Sequence, residues 1–197
     1  MYDESGVFAN QKCFILSSKD ENISLLALTA IFNSSLCKLW IYYNCPELLG
    51  GTREISKVYF EKFPVPNFDD NQKYILECFT KINIKNTTEF QQLTQKFTAY
   101  FSSQYNIEKL PGKLEKWFEL SFVDFIKELN KVIKKVKGTP LTKKDEFEWM
   151  DLFEENKKKA LELKAEIDKT DKEIYQMVYE LYELTEEEIK IICDATL

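Results

Sequence analysis

The sequence predicts an α+β protein, predominantly α: a small α/β piece at the amino end, then a helical bundle or long helical hairpin. Three observations lead there. Helical periodicity runs almost unbroken from Asn71 onward. Ahead of it, residues 7–16 form a β-rich, partly alternating run that reads as a strand. Gly 5 and Pro 5 in 197 residues are too few for an all-β fold built on tight turns. The length suffices for one large domain or two small ones, and Phe 15, Tyr 10 and Trp 3 supply enough bulk for a core.

After the strand, Asn22 or Ser24 can cap a helix reaching about Tyr43, with Leu25, Leu28, Ile31, Phe32, Leu36 and Leu39 on its apolar face. Asn33, Ser34, Ser35 and Lys38 interrupt this run. A membrane span needs about 20 nearly uninterrupted apolar residues, so a buried helix is expected. Pro46 ends it. The chain's only Gly-Gly follows, in Leu49-Gly50-Gly51-Thr52-Arg53-Glu54-Ile55-Ser56-Lys57, and then Phe63-Pro64-Val65-Pro66. Both prolines favour extended backbone, so they mark a first boundary. Helices are expected over about 70–82, 88–104, 113–136, 143–168, 171–182 and 186–193, separated in part by Pro111-Gly112 and Gly138-Thr139-Pro140. Thr142 ahead of Asp145 and Glu146, and Thr185-Glu186-Glu187-Glu188, are start signals with a capping mechanism. The resulting partition is 1–68, a helical region 69–138 and an acidic helical region 139–197.

Net charge is −6, unevenly spread. Residues 1–68 carry 6 basic and 7 acidic groups, residues 69–135 carry 11 and 9, and residues 136–197 carry 10 and 17. The acidity therefore belongs to the tail, read as a solvated helical face. The absence of histidine excludes Ser-His-Asp and Cys-His nucleophile systems and any histidine general base. Cys13, Cys37, Cys45, Cys78 and Cys193 are odd in number and form no C-x-x-C pair, so zinc sites of common spacing are excluded as well. Reduced thiols and no secretory pattern at the start lead to a cytoplasmic expectation, with no membrane partner.

Three stretches carry a family resemblance. The first is Leu25-Leu26-Ala27-Leu28-Thr29-Ala30-Ile31-Phe32-Asn33-Ser34-Ser35-Leu36, with the Gly-Gly segment and Phe63-Pro64-Val65-Pro66 behind it. The second is Leu114-Glu115-Lys116-Trp117-Phe118-Glu119-Leu120 with Phe125-Ile126-Lys127-Glu128-Leu129. The third runs from Asp171 through Val178-Tyr179-Glu180-Leu181-Tyr182-Glu183-Leu184-Thr185-Glu186-Glu187-Glu188-Ile189. Together they resemble the target-recognition region of DNA adenine methyltransferases, fused type IIG restriction–modification enzymes and type I specificity subunits. Tyr175 and Glu183 stand where that family more often has Asp and Gly. The resemblance implies a carboxy-terminal DNA target-recognition fragment without a catalytic centre. Methyltransferase and nuclease domains of the same polypeptide would lie upstream, with S-adenosylmethionine and magnesium only there and no cofactor here.

The residues themselves offer one main candidate. Two glycines let backbone approach a ligand closely. Arg53, the only arginine in the chain, can present a fork to guanine or phosphate, and Lys57 a point charge. Gly50, Gly51, Thr52, Arg53, Ser56 and Lys57 are thus the expected contacts with double-stranded DNA. Their ordinary alternative is a turn with an exposed arginine. Lys12 and Lys19 are weaker phosphate candidates. Trp40, Tyr42 and Tyr43 read as core before base-stacking aromatics. Lys134-Lys135-Val136-Lys137 reads first as a helix-end cation cluster. Glu155-Asn156-Lys157 and Glu162-Leu163-Lys164 mimic part of a nuclease metal motif but fall in a charge-saturated helix. The competing overall function is a helical interaction module that joins subunits or domains without touching DNA.

Overall fold

The computed structural model describes Tyr2, residues 15–20 and residues 23–195. It divides into two compact units, Met1–Asn83 with Lys169–Leu197, and Ile84–Asp168. The expected strand at residues 7–16 lies outside the described residues except for Ile15 and Leu16, which are not in a strand.

In the first unit the expected long helix is two helices, α1 (Leu25–Asn33) and α2 (Ser35–Asn44), bent by 68°. Ser24 caps α1, accepting from the Ala27 N–H at 3.1 Å. Ser34 makes the bend. Its backbone is extended, its N–H and Oγ both donate to the Ile31 carbonyl, and its Oγ accepts from Cys37 N–H at 3.2 Å. One hydroxyl therefore closes α1 and opens α2, and it is fully buried while doing so. Apolar periodicity continues across the bend and hides it. No single helix among the described residues is long and apolar enough to cross a membrane.

The α/β expectation for this end is corrected. Among the described residues there is no strand, and the only β-type pairing is an isolated antiparallel bridge between Glu47 and Arg53. A sheet needs several paired strands to bury a face, and a single bridge offers none. Ala27, Ile31 and Cys37 bury their apolar surface against α3 (Lys57–Phe60) and its neighbours, Leu76 on α4 (Asp70–Gln104), and Ile174 and Val178 on α7 (Lys143–Leu181). Helix packing thus covers the surface a sheet would have covered.

Phe63 is the hub of this core, with rings of Phe32, Trp40, Phe60 and Tyr182 at 5.3–6.4 Å. The Tyr182 hydroxyl donates to the Pro64 carbonyl. The Tyr179 hydroxyl and Ser35 Oγ share a hydrogen bond at 2.6 Å. The tail tyrosines dock the end of α7 as packing residues. Glu183 follows with φ +51, in the left-handed region, and the Leu184 N–H donates to the Tyr179 carbonyl. That geometry explains why glycine suits this position. Glu183→Gly is expected to raise unfolding free energy by about 0.5–1 kcal/mol, since strain relief exceeds the added chain entropy. Urea unfolding of both forms measures it. After this turn, α8 (Glu186–Ala195) starts on the expected capping box: the Thr185 N–H donates to Glu188, and the Glu188 N–H to Thr185 Oγ1. The Thr185 N–H and hydroxyl, both donated to the carboxylate, hold Glu188 below its ordinary pKa.

The second unit holds the rest of α4, α5 (Gly112–Glu115), a 3-10 turn at Trp117–Glu119, α6 (Phe122–Lys135) and most of α7. Its core is aromatic. Phe97 lies 4.2 Å from Trp117 and 5.9 Å from Phe125, and Phe125 stacks on Phe153 at 4.7 Å. Trp149 reaches the Tyr105 hydroxyl through its indole N–H at 3.0 Å.

Three helix boundaries differ from expectation. Two expected helix pairs are single helices, because Asn83, Thr87 and Thr170 are weak helix formers but not breakers, and Lys169 is a good one. Asn83 instead donates to Asp171, and Thr88 bonds back to the Ile84 carbonyl. The expected 113–136 helix is interrupted, because Ser121 caps a fresh start through the Asp124 N–H at 3.1 Å. The start of α7 uses Thr142 and Asp145 reciprocally, as expected.

Candidate functional site

The six expected contact residues lie together on one hairpin and the helix start behind it. Cys45 ends α2, and the chain turns back on itself through residues 46–54. The Leu48 N–H donates to the Thr52 carbonyl at 2.8 Å, and the Glu54 N–H to the Pro46 carbonyl at 2.9 Å. Gly50 and Gly51 take φ +86 and +79 at the apex. Consecutive left-handed residues are what make glycine the fitting choice there. Open space surrounds both, so no neighbour forbids a side chain; the backbone conformation does. Thr52 and Lys57 are exposed, and Ser56 precedes α3 without a side-chain capping bond.

Arg53 is held rather than free. Its guanidinium lies over the Tyr42 ring, 4.3 Å from the centroid, and pairs with Glu47 at 3.6 Å across the bridge. Its side chain is 19% exposed, and its Nε is buried with no hydrogen-bond partner. The aromatic face takes one side of the fork, and Glu47 carries a countercharge that water partly screens. Burial raises the Cys45 thiol, and the nearby Arg53 charge opposes that shift. Tyr42 is therefore not a core residue; its ring is the platform under Arg53. Tyr43 is largely exposed beside it, whereas Trp40 packs on Phe63.

Sequence reasoning missed the tip. Leu48 is about half exposed and Leu49 fully exposed, immediately before the two glycines. The signal was available: two leucines abutting a Gly-Gly turn have no helix or strand face to enter. Ile55 and Val58 add exposed apolar surface on the strand-like return and α3. Lys19 is exposed, and Lys12 lies outside the described residues.

The nuclease-like triplets do not assemble. Lys157 donates to the Leu120 carbonyl at 2.6 Å, and Glu155 pairs with Lys159 at 2.6 Å. Among the described residues no group of three or more acidic or thiol side chains is placed to hold a metal ion.

Comparison with known families now bears on this geometry. Residues 69–178 match the model of a domain of unknown function, DUF8810, over more than half of the chain. The chain belongs to the DUF8810 family. The DUF8810 segment starts just after Pro66 and takes in all of α4 and most of α7. Residues 1–65 match the TaqI-like C-terminal specificity domain. That match supports a restriction–modification target-recognition domain at this end of the chain, and it contains the whole Gly-Gly hairpin. No curated protein and no solved structure matches the chain.

Proposed function

We propose that the chain reads DNA sequence for a restriction–modification enzyme, with the hairpin of residues 46–54 as its base-contacting element. The carrying observation is that this exposed, glycine-tipped hairpin lies inside the TaqI-like specificity match. Gly50 and Gly51 let the tip approach a groove, Thr52 and Lys57 meet phosphate, and Leu49 meets a thymine methyl. Arg53 is aimed by Tyr42 and Glu47, so that an incoming guanine or phosphate exchanges for Glu47 without reordering the whole side chain. In this reading the helical remainder braces the hairpin against methyltransferase and nuclease domains of the same polypeptide. Catalysis, S-adenosylmethionine and magnesium belong to those domains.

The test is selection of bound duplexes from a randomised pool by the full chain, with and without Arg53→Ala. The expected result is loss of preference at one base position, equivalent to about 1–3 kcal/mol, with folding unchanged. An unaltered selected sequence would remove Arg53 from the reading. An unaltered selection with Leu49→Ser and Lys57→Gln as well would remove the hairpin.

A further inference from the structure

We infer that the exposed lysine face of α6, within the DUF8810 segment, is a sequence-independent clamp on duplex DNA phosphates. The inference rests on the DNA-binding reading but uses different residues in a different unit.

Helix α6 is sharply two-sided. Phe125, Ile126, Leu129, Val132 and Ile133 are buried on one side. Lys127, Lys131, Lys134 and Lys135 recur at spacings of four, three and one on the other, and all are exposed. Lys137 follows directly. Residues 109–137 carry eight lysines against four acidic residues, Glu115, Glu119, Asp124 and Glu128. Two of those four are engaged locally: Glu128 by Lys131 at 2.7 Å and Lys113 at 3.8 Å, and Asp124 by Ser121. Among the described residues, Lys127, Lys134, Lys135 and Lys137 have no carboxylate within 4.0 Å.

The helix-end effect accounts for only part of this. It fades within the last turn, which covers Lys134 and Lys135 but not Lys127. Lys137 is stranger still. It holds φ +59, where glycine is favoured, while Gly138 beside it donates to the Ile133 carbonyl. A cation thus occupies the strained position at the end of the row. The background makes the row more distinct: Met1–Asn83 with Lys169–Leu197 carries 11 basic and 18 acidic residues, and Ile84–Asp168 carries 16 and 15.

Phosphate fits this face better than a protein partner does. Protein interfaces favour aromatic, Met and Arg side chains and are depleted in Lys. The row consists of lysines with no aromatic or arginine among them. From Lys127 to Lys135 the helix advances about 12 Å. Duplex DNA presents a charge about every 1.7 Å of its axis, so each lysine in that span has a phosphate to reach.

The test is the salt dependence of binding by the full chain to random-sequence 30-base-pair duplexes, using Lys127→Gln/Lys134→Gln/Lys135→Gln. The expected result is a log–log salt slope shallower by about 2–3 and affinity lower by about tenfold or more at 0.1 M salt. Sequences selected from a randomised pool stay the same, and Lys127→Arg/Lys134→Arg/Lys135→Arg keeps the wild-type slope. A slope changed by less than one in the Gln variant overturns the inference and leaves an acidic protein surface as the occupant. Altered sequence choice in the Gln variant overturns it too, since phosphate contacts do not read bases. Failure of the hairpin reading shows separately, as unaltered selection in the hairpin variants. Wild-type protein that binds no duplex at any salt sinks both.

Discussion

Phe125→Ala is expected to cost about 3–5 kcal/mol, the usual range for deleting a fully buried phenyl ring. The physical case rests on how completely the ring is surrounded. Phe125 is fully buried, stacks on Phe153 at 4.7 Å, and has Phe97, Phe101 and Trp149 rings at 5.7–6.0 Å. Those neighbours come from α4 and α7, so collapse into the cavity would have to move both helices against α6. Aromatic pairs add about 0.5–1.5 kcal/mol each beyond area burial, though not additively here. Phe125→Leu should recover part of the loss by restoring volume. Denaturant unfolding followed by tryptophan fluorescence reads this unit well, because Trp117 and Trp149 both lie in it. A loss below about 1 kcal/mol would contradict the packing described.

Phe63→Ala is expected to have a comparable effect in the other unit, about 3–4 kcal/mol, with a functional consequence as well. Phe63 is 7% exposed and is the hub through which the segment behind the hairpin meets α1, α2 and the end of α7. Removing it should loosen the Pro64 carbonyl from Tyr182 and leave the hairpin's return unanchored. Tyr182→Phe separates the two contributions: it deletes one hydrogen bond without opening a cavity and should cost only about 1 kcal/mol. The expected functional signature of Phe63→Ala is weaker site choice at a temperature where the variant is still folded. Site choice at wild-type strength in a destabilised Phe63→Ala protein would mean that the hairpin holds its own geometry.

Much of this was legible in the residues, in proportion to how local the cause was. Gly50-Gly51 as a left-handed apex, Thr142 and Thr185 as caps, and Ser24 as the start of α1 are effects of neighbours within four residues. The bend at Ser34 and the break at Ser121 were equally local, but apolar periodicity runs through both and outweighed the capping serines. The α/β reading failed for another reason. The β-rich run of residues 7–16 suggested a sheet, yet only tertiary pairing makes one, and the described residues offer a single bridge. The aromatic candidates sorted themselves by partner: Trp40 found Phe63, Tyr42 found Arg53, and Tyr43 found no core position.

The sequence by itself determined a helix-rich chain, the caps at Thr142 and Thr185, its one arginine beside a Gly-Gly turn, and a lysine cluster at the end of an amphipathic helix. These follow from short-range backbone preference and periodic burial. Only the tertiary structure decided that two long helices run without interruption where the residues suggested gaps. It alone showed that Phe63 gathers four rings, and that Arg53 is stacked and paired rather than displayed. Those outcomes depend on residues far apart in the chain, whose packing and charge pairing no local pattern records.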